Sequence, residues 1–308
     1  MNNKFSLAKF FERFPDNNAC LEEIKNIRWP NGIFCKECGK ITKFYKIKGI
    51  NIKPRPAYQC EFSGAHQVSP LAGTIFEKTT TPLQYWFYAI FLMIHTRSGI
   101  SAKQLQRELG VTYKTAWRMF KQIRMLMADM DSTLLEGTVE IDETFVGGKA
   151  KNRTKLWNPD TDQKEVVMGM LQRGGKAYLK HVANTGKWTL LAQIKEHVNP
   201  KARILTDEYR SYTHLPRYGY KHDYVNHQYE YARGDVHTQN IENVWSHFKR
   251  GIYGVYRIVS KKYLQAYADE YAFRYNNRKA GDKMFDLLLQ RITEIRLLKS
   301  PKPSLATY

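Results

Sequence analysis

Acidic residues are in short supply in this sequence. Across 308 residues, 29 Asp and Glu face 49 Lys and Arg, a net charge of +20 with a pI near 9.7. So deep a deficit argues against a surface charged only for solubility and implies a polyanionic partner. The bases are spread along the chain, so DNA or RNA is expected to lie across a folded surface rather than on a disordered arm. Cysteine is scarce too, with four in all. Met1–Phe10 is polar and charged and has no signal-peptide pattern, so these thiols are expected to bind metal before they form disulfides. Long apolar runs are missing. The most apolar stretch, Tyr85–Ile94, is too short to cross a bilayer and reads as a buried helix; no membrane partner is expected. Internal repeats and low-complexity tracts are absent. Hydrophobic residues, by contrast, make up 43% of the chain, with 20 Tyr, 15 Phe and 6 Trp. That suffices for two or three domains with real cores, and leaves a minority of rings to stack on bases.

The few acids fall in telling places. In Val139–Lys149, VEIDETFVGGK, alternation puts Glu140, Asp142 and Thr144 on one face of a strand and Val139, Ile141 and Phe145 on the other. A carboxylate amid an apolar strand is expensive unless paired, and a metal ion is the usual partner. RILTDEYRSY carries Asp207 at the end of Ile204-Leu205, and the helical HTQNIENVWSHFKR carries Glu242 near its start. Strands are expected at 166–171, 177–182 and 203–206, with a helix at 188–197. With the Asp142 strand, that is the order of an α/β, RNase H-like core: three strands, a helix, then a strand. Three converging carboxylates suit two hard cations, Mg2+ or Mn2+, which activate a water or a 3′-hydroxyl and stabilise the leaving oxygen of a phosphodiester. Lys249, two helical turns past Glu242, would hold a phosphate. Glu143 and Glu208 flank the key acids, Glu143 pointing across the pleat. Trp245, at i+3 from Glu242, is better placed in the core than on a base. It remains a DNA-contact candidate with Arg250 and the basic loop Lys149, Lys151, Arg153 and Lys155.

Upstream, Cys35-Lys-Glu-Cys38-Gly39 is a zinc knuckle. Cys60 is the natural third ligand. A second CxxC is missing, so His66 is taken as the fourth, with Cys20 as the runner-up. Residues 102–109 and 114–127 are expected as helices joined by Gly110-Val111-Thr112, the short turn of a helix-turn-helix. Ala102, Leu105, Leu109, Val111, Ala116 and Met119 would form its seam. Thr112, Tyr113, Lys114, Thr115 and Arg118 would face DNA. Further helices are expected at 263–276 and 284–298.

VEIDETFVGGK, TDEYRSY, HTQNIENVWSHFKRGIYG and YADEYAFRYNNR resemble the DDE transposases of the Merlin superfamily and their bacterial ISXO-type insertion-sequence relatives. RWPNGIFCKECGK and LAGTIFEKT resemble the zinc-bearing N-terminal region of that family. The likeness covers nearly the whole chain and implies a catalytic triad of Asp142, Asp207 and Glu242, with Lys249 as the associated base. It implies a transposase that binds terminal inverted repeats, cuts there and joins the ends to target DNA. Two divalent ions, a structural Zn2+, a homodimer or larger assembly on DNA, and a cytoplasmic, nucleoid-associated setting go with it. The expected division is a zinc-ribbon-like lobe at 1–78, a helix-turn-helix domain at 79–135, the catalytic core at 136–255 and a helical region packing on that core at 256–308. Two rivals stand beside it: a non-catalytic, transposase-derived DNA-binding regulator, and an RNase H-like nuclease without strand transfer.

Overall fold

The computed structural model describes residues 5–47, 56–129, 133–147, 164–225 and 233–293. Lys149, Lys151, Arg153 and Lys155 lie outside the described residues. The chain divides into two units, one formed by Met1–His95, Ala102–Leu126 and Asp282–Tyr308, the other by Thr96–Ser101 and Met127–Gly281. Among the described residues, no helix is long and apolar enough to cross a membrane.

The first unit opens with α1 (Leu7–Arg13) and α2 (Asn17–Arg28). Asp16 starts α2 by accepting the N–H groups of Asn18 and Ala19, both at 2.8 Å, the N-cap its position before the helix calls for. A small all-β ribbon follows. β1 (Ile33–Cys35) pairs antiparallel with β2 (Lys40–Thr42), and β3 (Phe44–Lys46), β4 (Tyr58–Cys60) and β5 (Gln67–Val68) form a second antiparallel sheet. Then come α3 (Leu83–His95), α4 (Ala102–Leu109) and α5 (Tyr113–Met127). Gly110, at φ +63°, allows the tight reversal between α4 and α5, and Thr112 caps α5 by accepting the Thr115 N–H at 3.2 Å. Residues 256–308, expected to pack together on the core at 136–255, are divided between the two units. The C-terminal helix Lys283–Gln290 belongs to the first unit. The reason is aromatic: Phe285, fully buried, sits 5.1–6.4 Å from the rings of Phe5, Phe10, Phe14 and Phe87.

The second unit is built on a five-stranded sheet. Its strands are β6 (Thr138–Val146), β7 (Glu165–Gln172), β8 (Ala177–Val182), β9 (Arg203–Asp207) and β10 (Lys221–Val225), in the order β10-β9-β6-β7-β8. β6, β7 and β8 are antiparallel neighbours, whereas β9 and β10 run parallel to β6. β10 is not legible in the sequence, because its residues KHDYV show no apolar alternation and only Val225 is buried. One face, with Val139, Ile141, Met168 and Met170, packs on α6 (Lys187–His197) through Leu190, Leu191 and Ile194. The other, with Val146, Val167, Leu171 and Leu179, packs on α7 (Gln239–Arg250) and α8 (Lys261–Asn276) through Ile241, Val244, Trp245, Phe248, Leu264 and Ala268. The sheet is therefore buried on both faces, as its near-continuous apolar strands require.

Candidate active site

Asp142 lies at the middle of β6. β6 and β9 pair from Thr138↔Arg203 to Glu140↔Leu205. Carried two residues further, that parallel register sets Asp142 level with Asp207. Glu242 reaches the same neighbourhood from the first turn of α7. Burial, the negative charge of Asp207 and a smaller push from Glu242 raise the Asp142 carboxyl to about 6, while the Glu143 backbone N–H and the Trp245 indole pull the other way. Trp245 Nε1 donates to Asp142 Oδ2 at 2.9 Å. Glu143, on the opposite face of β6, is pushed up to about 8 by burial and by the charges of Asp142 and Asp207, and it accepts a hydrogen bond from the Tyr212 hydroxyl.

Three features of this neighbourhood escape the sequence. The first is Glu140. It is fully buried, and its Oε2 accepts the N–H groups of Asn240 and Ile241 at 3.0 Å each. Its Oε1 accepts from Asn240 Nδ2 and Arg173 Nε, both at 2.7 Å. A strand residue two positions from Asp142 thus caps the helix that carries Glu242, a favourable place for a carboxylate. Arg173 also donates to the carbonyls of Asp235 and His237 at 2.8 and 3.0 Å, fixing the approach to that helix. The second is the contact of Trp245 with Asp142. The ring is 4% exposed, in the core as its spacing suggested and not on DNA, and its N–H orients Asp142. The third is Gly169, directly across the ladder from Asp142. A Cβ there would lie 2.6 Å from the Trp245 ring, so only glycine admits the indole. Alternation sets Glu140 on the Asp142 face and i+3 spacing favours Trp245 in the core, but neither tells what each touches.

Lys249 and Arg250 are exposed on the last turns of α7, with Arg250 Nη2 donating to Ser246 Oγ at 2.8 Å. Glu242 is exposed as well and accepts from Thr238 Oγ1 at 3.2 Å.

In the ribbon, the Cys35, Cys38 and Cys60 sulfurs all lie within 4.8 Å of one another. The Cys38 and Cys60 sulfurs are 3.7 Å apart. Tetrahedral zinc with Zn–S bonds of ~2.3 Å separates its sulfurs by about 3.8 Å, so the spacing fits. Burial pushes the Cys60 thiol up, but hydrogen bonds from Ser63, Thr42 and the Phe62 backbone outweigh it and bring Cys60 down to about 5, whereas burial and the neighbouring Cys35 and Cys60 push Cys38 up to about 11. His66 lies outside that triad. Its Nδ1 accepts the N–H of Lys36, inside the knuckle, at 3.3 Å. Cys20 is buried in α2, and burial raises it to about 12.

On the α4–α5 pair, Tyr113 and Lys114 are exposed and Thr115 is half-buried. Thr112 is exposed, but its hydroxyl is engaged in the cap of α5. Arg118 turns inward, its guanidinium 5.6 Å from the centre of the Trp86 ring and 3.4 Å from Thr79 Oγ1. It is therefore not a free surface cation.

Residues 134–276 match the ISXO2-like transposase domain, and residues 15–62 match the transposase zinc-ribbon domain. An uncharacterized protein in transposable element ISH50 of Halobacterium salinarum is 28% identical over 291 residues, covering 87% of this chain and 94% of that protein. An uncharacterized transposase-like protein of Haemophilus influenzae is 32% identical over 102 residues, 33% of this chain and 82% of its own length. Among solved structures, the HTLV-2 integrase catalytic core domain in complex with magnesium is 11% identical with a TM-score of 0.30, over 51% of this chain and 99% of that one. A pre-cleavage Mos1 transpososome is 12% identical with a TM-score of 0.25, over 68% and 78%.

Proposed function

The chain belongs to the ISXO2-like transposase family, and from that premise we propose that it cuts the terminal inverted repeats of its own element and joins the freed 3′-hydroxyls to target DNA. One observation carries this reading: Asp142, half-buried on β6, lies level with Asp207 in the β6–β9 register and feels the charges of Asp207 and Glu242. Acids so far apart in the chain come near enough for their charges to oppose one another, which supports a site that takes cations. The sheet order β10-β9-β6-β7-β8 supports an RNase H-like core at 136–255.

The donors are carboxylate oxygens, which fit Mg2+ or Mn2+. Two such ions, when bound, supply Lewis-acid activation of a water or a 3′-hydroxyl and stabilise the leaving oxygen. The protein's own part is positional. Asp142, Asp207 and Glu242 would hold the ions, Trp245 fixes the Asp142 carboxylate through its N–H, and Glu140 sets the position of α7 and so of Glu242. Lys249 holds a phosphate as a point charge beside them.

Recognition of the ends falls to the zinc lobe at 1–78, with Cys35, Cys38 and Cys60 on zinc, and to the helix-turn-helix at 79–135, with Tyr113, Lys114 and Thr115 facing DNA. The loop bases Lys149, Lys151, Arg153 and Lys155, together with Arg250, grip the backbone. Two ends are handled at once, so a homodimer or larger assembly forms on DNA, in the cytoplasm and on the nucleoid.

The test is to incubate the full chain with element-end DNA and Mg2+ or Mn2+ and sequence the products. Wild type gives cut and joined molecules, and Asp142→Asn gives neither while still binding. Binding without cleavage by wild type would make the protein a regulator. Cleavage without joining would make it a nuclease.

A further inference from the structure

Between α7, α8 and the segment Thr96–Ser101 lies a cavity of about 280 Å³, lined by Arg97, Asn243, His247, Arg274, Tyr275 and Arg278 among others. No Asp or Glu is among its described lining residues. The three arginines differ in their engagements. Arg274 is a fixed wall: its Nη1 donates to the Thr96 carbonyl at 2.9 Å, and its Nη2 donates to the fully buried Glu270 at 2.9 Å. Arg278 is held flat on the Tyr275 ring, 3.9 Å from its centre, and donates to the Tyr275 carbonyl at 2.7 Å. Arg97 is exposed. Among the described residues neither Arg97 nor Arg278 has a carboxylate partner, so both guanidinium charges are available to an anion.

A cavity near the small end of ligand pockets, ~300 Å³, is too small for a duplex and large enough for one nucleotide. Its chemistry has two parts. Two guanidinium groups with no carboxylate partner among the described residues suit a phosphate. Two rings, Tyr275 and His247, beside the Asn243 amide suit a base, one face by stacking and one edge by hydrogen bonds. Asn243 is the next residue after Glu242, so the cavity opens one step around α7 from the candidate metal site.

We propose that this cavity takes a single deoxynucleotide turned out of the strand, with its phosphate on Arg97 and Arg278, its base against Tyr275 and His247, and its edge on Asn243. That the nucleotide comes from a DNA strand held at the carboxylates rests on the transposase reading; that the cavity binds a nucleotide does not.

The probe is 5-iodo-2′-deoxyuridine 5′-monophosphate, photo-crosslinked to the full chain without DNA or divalent metal, with the labelled peptides mapped. The expected label is on Tyr275 or His247, and it is competed away by natural deoxynucleoside monophosphates. In the Arg97→Gln/Arg278→Gln double variant it drops by about tenfold or more. Lys195→Gln, on α6, leaves it unchanged. Both arginines reach solvent, and matching far-UV spectra and Tm verify the fold of the double variant. Label scattered over basic surfaces, or unchanged in the double variant, overturns the proposal. Equal competition by inorganic phosphate overturns it too, because the cavity is then an anion site with no place for a base. Failure of the transposase reading would appear elsewhere, as uncut DNA, and leave the labelling untouched.

Discussion

At the scale of the single residue, Asp142 is held by opposing forces. Burial and its neighbours' charge keep its proton on up to about pH 6, against an ordinary value of 3.8. Between those values the folded protein binds more protons than the unfolded chain, so this group makes stability fall as pH rises. Glu143 does the same between 4.5 and about 8. The metal-free protein is therefore expected to lose Tm from pH 5 to pH 8, and Mg2+ to restore most at the alkaline end. Asp142→Asn removes the repulsion. Without metal at pH 8 it should stabilise by on the order of 1–3 kcal/mol, roughly 3–8 °C in Tm, while cleavage falls to background. A melt that drops instead would show that the charge is not the burden described. Trp245→Phe keeps the ring and removes the N–H that holds Asp142. The Asp142 carboxyl then rises further, and the cleavage profile should move to higher pH; an unmoved profile would rule out a role for that hydrogen bond.

At the scale of the element, α7 is placed by two fits. One is electrostatic, the Glu140 carboxylate on the N–H groups of Asn240 and Ile241. The other is steric, Trp245 over Gly169. Gly169→Ala pushes a methyl into the indole and should destabilise by about 1–3 kcal/mol, with a cleavage loss larger than that fold defect alone explains. Denaturant melts beside turnover rates on the folded fraction separate the two. In the first unit, Phe285 is the anchor of the C-terminal helix. Phe285→Ala should destabilise by about 3–5 kcal/mol, whereas Leu287→Ala, at a half-buried position, should lower Tm much less. Equal effects would argue against the aromatic cluster as the seat of that helix.

At the scale of the whole molecule, charge and zinc are the two levers. A chain at +20 that neutralises several phosphates releases counterions, so its affinity for DNA should fall by about a hundredfold or more between 50 and 200 mM salt. A flat dependence in filter binding would mean that few bases touch the backbone. The Cys35, Cys38 and Cys60 triad predicts one zinc per chain by elemental analysis. Cys60→Ser should lose it and lower Tm, because binding to a structural site contributes directly to folding.

The sequence by itself determined most of the elements and the family. Period-2 and period-3.6 patterns set most strands and helices within a few residues, because each buries one known face. The motifs around Asp142, Asp207 and Glu242 marked those acids as candidates, because charge in an apolar strand or at a helix start is conspicuous. Only the tertiary structure decided which groups meet. Packing sent the C-terminal helix to the first unit, turned Arg118 inward, and gave Glu140, Gly169 and Trp245 their parts. Those contacts join residues far apart in the chain, 39 positions for Arg118 and Thr79 and 103 for Trp245 and Asp142, and local patterning carries no record of such distances.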